Sequence, residues 1–270
     1  MADKALVAAE WLFLNRSKLD AKFHEFSWSD PWGLSLFDFE VSLMGGRHSG
    51  RGTAKTEDLA MAKAVSEAIE RLVCAELNIS TQGVAAHPLK VEAELNAFNE
   101  SLERTLFQHH LRNEIPFLDQ VPSPEVANLF VSIEKMGGAI SLQKMLPAIG
   151  NESCVCVIRK NNQNFLGLGF GESSAFVQWG AIIEALRNFA TYCKGPDDFV
   201  QQTKLNSDLW SCDSRFFEEH SALFLENTIN SKSDLIFKSF TNSFENLNSK
   251  IELSLPVSVV KAVVTLGEVS

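Results

Sequence analysis

The chain has 270 residues and a formal net charge of -10, enough length to bury a full core as one large domain or two small ones. The acidic balance argues against a nucleic-acid binder, because phosphate backbones require a basic footprint, and it disfavours anionic membrane surfaces. Aliphatic and aromatic content is that of a globular protein, which excludes the disordered classes.

Lys4 to about Phe26 places Leu6, Leu12, Leu14 and Leu19 among charges. That spacing predicts an amphipathic helix, and residues 1–30 are read as a docking or dimer element. Pro31-Trp32-Gly33 breaks the chain, and Leu34–Leu43 then alternates with period two as a half-exposed strand ended by Gly45-Gly46. From Thr56 to Leu77 the helical period returns. Val65, Ile69, Leu72 and Val73 form its apolar stripe, with Glu67, Glu70, Arg71 and Cys74 opposite.

A turn at Ser80–Gly83 follows, and Pro88 stands near the start of a second helix. There Leu95, Phe98, Leu102 and Leu106 are expected to face the core, with Glu92, Asn96, Glu100 and Glu103 on the polar face. Pro122-Ser123-Pro124 opens a helix to about Met136, closed by Gly137-Gly138. Residues 153–159 and 164–169 read as a strand pair joined by the turn Lys160–Gln163. A long helix from Ser174 to Tyr192 carries Trp179, Ile182, Ile183, Leu186 and Phe189 on its apolar side, and Gly180, Ala181, Glu184 and Asn188 opposite. Asp208–Asn246 reads as mainly helical, and Lys250–Leu266 as two strands around Pro256. No stretch has the composition of an interdomain linker, so residues 1–270 are read as a single domain.

The five cysteines are odd in number and lack a C-x-x-C pair, which predicts free, mostly buried thiols and a reducing cytoplasm. Signal-peptide features and an apolar run of membrane-spanning length are both missing from the sequence. His109-His110 does not make a metal pair, since neighbouring helical residues point about 100° apart; a packing or surface role is expected.

One signature occurs twice on helical segments: Glu67-Ala68-Ile69-Glu70-Arg71 and Glu100-Ser101-Leu102-Glu103-Arg104. A single E-x-x-E-R is ordinarily a solvated face stitched by internal ion pairs. Its recurrence, each time opposite an apolar stripe, points instead to two helices that bring four carboxylates and two guanidinium groups together. Glu184 on a third helix, beside small residues, would join them. Converging carboxylates raise each other's pKa unless a cation neutralises them, and magnesium with nucleotide phosphate suits that role. The run Gly45–Thr53 superficially matches a phosphate-binding P-loop, but Arg51 stands where its lysine belongs and Gly52 where its hydroxyl belongs.

On these residues the chain resembles the YcaO family. The likeness rests on Gly50-Arg51-Gly52, read as a turn before a first E-x-x-E-R helix, and on the loop Thr81-Gln82-Gly83-Val84-Ala85 before the second. It extends to Glu184 after Gly169-Phe170-Gly171, and to the ending Leu255–Val264. The resemblance implies a single α/β domain with mixed sheets and long helices lining an ATP and magnesium site. It implies an enzyme that phosphorylates the oxygen of a peptide backbone amide, giving an azoline, thioamide or amidine in a ribosomally made peptide.

Carried over, Glu67, Glu70, Glu100, Glu103 and Glu184 would be magnesium ligands, while Arg51, Arg71, Glu92 and Arg104 would contact the nucleotide. His220 would be a substrate contact. Expected partners are a precursor peptide, a separate peptide-recognition or TfuA-like protein, and a second copy of the chain. The sequence differs from the family pattern in Gly180, where an arginine is common, and in Thr81, Gln82, His87 and Thr105. A second expectation is therefore a catalytically degenerate YcaO-like scaffold that binds a peptide or a partner enzyme.

Overall fold

The computed structural model describes residues 10, 12–26, 36–145, 151–196, 240–251, 255 and 257–266. Strands β1 (Lys22–Glu25), β2 (Phe37–Leu43) and β3 (His48–Ala54) lead into helix α1 (Glu57–Glu76), and β4 (Val84–His87) leads into α2 (Lys90–Arg112). Next come β5 (Leu118–Asp119), α3 (Ala127–Lys135), β6 (Ala139–Lys144), β7 (Glu152–Lys160), β8 (Gln163–Gly171) and α4 (Ser174–Lys194). Strands β9 (Phe240–Asn246) and β10 (Ser258–Leu266) complete the described elements. Two compact units result: Met1–Leu102 with Asn242–Val264, and Glu103–Thr241 with Thr265–Ser270.

In the first unit β1, β2 and β3 form an antiparallel sheet in that order. Its hairpin turns at Met44-Gly45-Gly46, all three at positive φ, where two glycines relieve the steric penalty of the left-handed region. Helix α1 lies against β3 at backbone contact distance. A Cβ on Gly50 would fall 2.3 Å from the Ala64 carbonyl oxygen, and one on Gly52 2.0 Å from that of Ala60. Small residues on both partners permit this approach. Val65, Ile69, Leu72 and Val73 then reach a core shared with Val41 and Leu43, each burial contributing about 1.5–3 kcal/mol. A second sheet, ordered β4-β10-β9, pairs Ala86 with Val259 and Ala85 with Val260.

The second unit repeats the theme. Its sheet is ordered β5-β6-β7-β8, and the β7–β8 hairpin closes on Asn161 and Asn162, both at positive φ as a two-residue hairpin turn requires. Helix α4 starts at Ser173, whose hydroxyl accepts from the Phe176 N–H. It lies on Gly167 and Gly169, whose absent Cβ atoms would fall 2.0 Å from the Ala181 carbonyl and 2.1 Å from that of Val177. Phe165, Phe189 and Tyr192 pack ring to ring beside them.

Several expectations change. Of the helix expected to Phe26, residues 10 and 12–14 are helical among the described positions, and Lys22–Glu25 is a strand paired with β2. Gly50-Arg51-Gly52 is strand, not turn, and Val84–Ala85 begins a strand, not a loop. Leu95 is exposed, while Ala93 and Ala97 face the core. Ala181 and Cys74 are buried because each lies on the packing side of its helix. Phe240–Asn246 is strand; of the two strands expected around Pro256 the second is present as Ser258–Leu266, and residues 252–254 and 256 lie outside the described residues. Residues 27–35, His220, Cys212 and the expected helix over 208–239 lie outside the described residues. The helix from the Pro122 region, the 153–169 hairpin and the long Glu184 helix stand as expected. Cys74, Cys154, Cys156 and Cys193 are free, and among the described residues no helix is long and apolar enough to cross a membrane.

Candidate active site

Each strand–helix contact ends in the same hydrogen bond. The Arg51 N–H donates to Glu67 Oε2 at 2.8 Å, and the Leu168 N–H donates to Glu184 Oε2 at 2.7 Å. In both cases the donor is the residue between two glycines. Gly50 and Gly167, Gly52 and Gly169, Ala64 and Ala181, Glu67 and Glu184 stand at one constant offset. A third glutamate follows suit: Glu70 Oε1 accepts the Ala86 N–H at 2.7 Å. The strands β3, β8 and β4 are the end strands of their sheets. All three glutamates therefore satisfy an outward N–H that a sheet edge leaves open.

In the first unit, Glu67 turns its other oxygen to Arg71 Nη2 at 2.8 Å, one turn along α1. Glu70 is the stressed member: burial pushes its pKa well above the usual carboxylate value, and the nearby Glu100 and Glu67 charges add to this against the Ala86 bond and Arg71. Arg51 enters through its backbone N–H. Its guanidinium forks onto Asp38, which is 1% exposed, and lies 4.4 Å from the Phe26 ring centroid. The Thr53 hydroxyl completes the group by donating to Asp38 at 2.7 Å. Glu92 is exposed in the first turn of α2.

In the second unit, Glu184 Oε1 accepts from Arg104 Nη2 at 3.3 Å, and Arg104 Nε lies 3.6 Å from Glu103 Oε1. Glu103 is almost fully covered. Beneath it, burial pushes the Cys154 and Cys156 thiols well up, and the charges of Glu103 and Glu184 respectively act in the same direction. These thiols stay protonated and serve as packing. A cleft of about 330 Å³ opens here, with Glu103, Arg104, Glu184 and Arg187 at its polar end and Phe170, Phe176 and Val177 as apolar wall. Gly180 also lines it, and a Cβ there would meet nothing within 4 Å.

The structure thus groups Glu67, Glu70, Glu100 and Arg71 in one unit, and Glu103, Arg104 and Glu184 in the other. Sequence reasoning missed the donors Ala86 and Leu168, the Asp38 anchor, and Arg187 and Phe176 at the cleft. The signal for the two strand–helix pairs was present: G-x-G followed at one interval by a glutamate, twice. His110 is packing, as expected: it is fully buried, stacks on Phe117 with centroids 4.8 Å apart, and donates through Nδ1 to the Ile115 carbonyl at 2.9 Å.

Among the described residues no group of three or more His, Cys, Asp or Glu is arranged to hold a metal ion. The donor chemistry nonetheless fits a hard cation. The ligands on offer are carboxylate oxygens, one oxygen of Glu67 and of Glu184 is oriented by a peptide N–H, and the other faces a guanidinium cation. Burial chiefly raises the Glu70 pKa, and the smaller share that Glu100 and Glu67 add is repulsion of the kind a nearby cation relieves.

Taken with these sites, the helices and antiparallel sheets define a YcaO-like fold. A YcaO from Methanopyrus kandleri bound with AMPPCP and Mg2+ matches with a TM-score of 0.61 at 14% identity, over 94% of this chain and 89% of that one. A heterocyclase in complex with substrate and cofactor matches with a TM-score of 0.68 at 13% identity, over 93% of this chain and 51% of its own, so the chain spans about half its length. A chain of the E. coli microcin synthetase McbBCD complex matches with a TM-score of 0.53 at 11% identity, over 85% and 84%. No family model and no curated protein matches the sequence.

Proposed function

We propose that the protein is an ATP- and magnesium-dependent enzyme of YcaO type that activates a peptide backbone amide. The observation that carries this reading is the repeated glutamate at a sheet edge, one oxygen fixed by a strand N–H and the other turned to a cation, within a fold shared with a protein that binds AMPPCP and Mg2+. In this reading Glu67, Glu70, Glu100, Glu103 and Glu184 hold magnesium. Arg71 and Arg104 release their carboxylates to meet phosphate oxygens, with Glu92 and the Arg51 backbone at the periphery. Bound ATP supplies a phosphoryl group to the amide oxygen; a side-chain nucleophile or sulfide then adds to the carbonyl carbon and phosphate leaves. The residues contribute position and charge neutralisation, which dominate phosphoryl transfer. A precursor peptide, a separate recognition or TfuA-like protein and a second copy of the chain are the partners this reading entails.

Calorimetry with magnesium and ATP tests it. Wild type should bind, and Glu67→Gln or Glu103→Gln should lower affinity at least about tenfold, the scale of one charge-assisted contact, with the fold intact by circular dichroism. Unchanged affinity in both variants would overturn the assignment. The absence of a ready three-ligand group among the described residues favours a second reading, a scaffold that binds peptide or a partner enzyme. Such a scaffold would give no heat of nucleotide binding.

A further inference from the structure

We infer that the outer edge of β8 is a docking rail for an extended peptide, which adds as a short extra strand along the cleft and ends at Glu184. The inference rests on the reading of a peptide as substrate and adds where and how it lies. Strand β8 is last in its sheet, and among the described residues no strand pairs with its outer edge. Leu168 turns its N–H outward to Glu184. Backbone direction alternates along a strand, so Phe170 points its N–H and C=O to the same side. Leu168 and Phe170 both line the cleft. Glu184 occupies one outward donor and so fixes where the added ladder stops, beside Arg104 and Glu103.

Three observations favour a peptide backbone as occupant. The cleft's charged lining is balanced, two carboxylates against two guanidinium groups, which suits the dipoles of a peptide backbone. Gly180 also lines the cleft, which is open at that point because a Cβ there would meet nothing within 4 Å. Phe176, 67% exposed, and Phe170 supply apolar wall for alternate side chains, the usual division of labour in strand addition.

The test uses the full chain against an array of Cys-, Ser- and Thr-containing decapeptides, followed by N-methyl scanning of the tightest binder. Strand addition predicts that methylating alternate amides weakens binding about tenfold or more each, while the intervening amides tolerate it. Gly180→Trp, at a position where a Cβ meets nothing within 4 Å, should weaken the same peptide at least about tenfold while retaining the wild-type circular dichroism spectrum. Absence of binding to every array peptide, loss at all amides alike, or undiminished binding to Gly180→Trp each overturns the inference. Calorimetry with magnesium and ATP on the same preparation separates the two claims. Alternating loss without nucleotide binding leaves the rail standing and removes the proposed enzyme, whereas nucleotide binding without alternation removes the rail alone.

Discussion

The strand–helix pairs β3–α1 and β8–α4 share one backbone design and differ in what surrounds it. Both join through glycines on the strand and alanines on the helix, and both fix a glutamate to the intervening N–H. The first pair continues its helix with Glu70 and Arg71; at the matching offset the second has Arg187 and Asn188. In the first, Glu70 is buried, and the charges of Glu100 and Glu67 act on it in the same direction as burial. In the second, carboxylates and guanidinium groups balance and an apolar wall adjoins them. The same strand–helix joint therefore carries a buried carboxylate among like charges in one unit and a charge-balanced cleft in the other. The chemistry lies in two or three side chains per pair.

The scaffold itself should break hardest. Gly52→Val and Gly169→Val would force atoms into helix backbone 2.0–2.1 Å away. Each should cost more than about 4 kcal/mol in urea unfolding; a wild-type midpoint would refute the close approach. Next in size, Arg51→Ala should cost about 3–5 kcal/mol, because it removes the guanidinium counter-charge from the buried Asp38 carboxylate. Arg71→Ala, which removes a half-exposed pair within one helix, should cost under about 0.5 kcal/mol. Comparable losses from both would erase the distinction between anchor and site.

Opposite pH responses should separate the units further. The folded pKa of Glu70 is raised above 4.5, so the stability it contributes is present below that value and lost as pH rises through the raised one. Glu70→Gln should remove that decline, and magnesium should offset it in wild type. In the second unit, burial pulls His110 from 6.5 down to about 4, so its contribution is whole above 6.5 and lost as pH falls toward 4. Melting temperatures across pH 4 to 8, wild type against Glu70→Gln, check both signs. In the opposite direction, Gly180→Ala should stabilise the protein by about 0.5–1 kcal/mol, since an open helical glycine only adds chain entropy.

The helices were legible in the sequence because burial on one face leaves a 3.6-residue period, as in Val65, Ile69, Leu72 and Val73. The 153–169 hairpin was legible through its Asn-Asn turn between apolar runs. Strand β3 was not: His48–Ala54 holds two glycines and no aliphatic alternation, so nothing local favours strand over turn. Strands β1 and β4 were missed for a related reason, being four residues each and stabilised by pairing partners far along the chain. The E-x-x-E-R repeat drew attention to α1 and α2. The deeper repeat, G-x-G with a glutamate at a fixed interval, surfaced only when Glu67 and Glu184 were seen on matching peptide groups.

By itself the sequence determined which faces are apolar, which helices carry carboxylates, and that the charge balance is acidic, because periodicity and composition are local properties. Only tertiary structure decided that Glu67, Glu70 and Glu184 meet open strand edges, that Arg51 serves Asp38 with its side chain and Glu67 with its backbone, and that Arg187 and Phe176 border a cleft. Those outcomes depend on which N–H a sheet leaves unpaired and how closely two backbones approach, and no single stretch of chain encodes either.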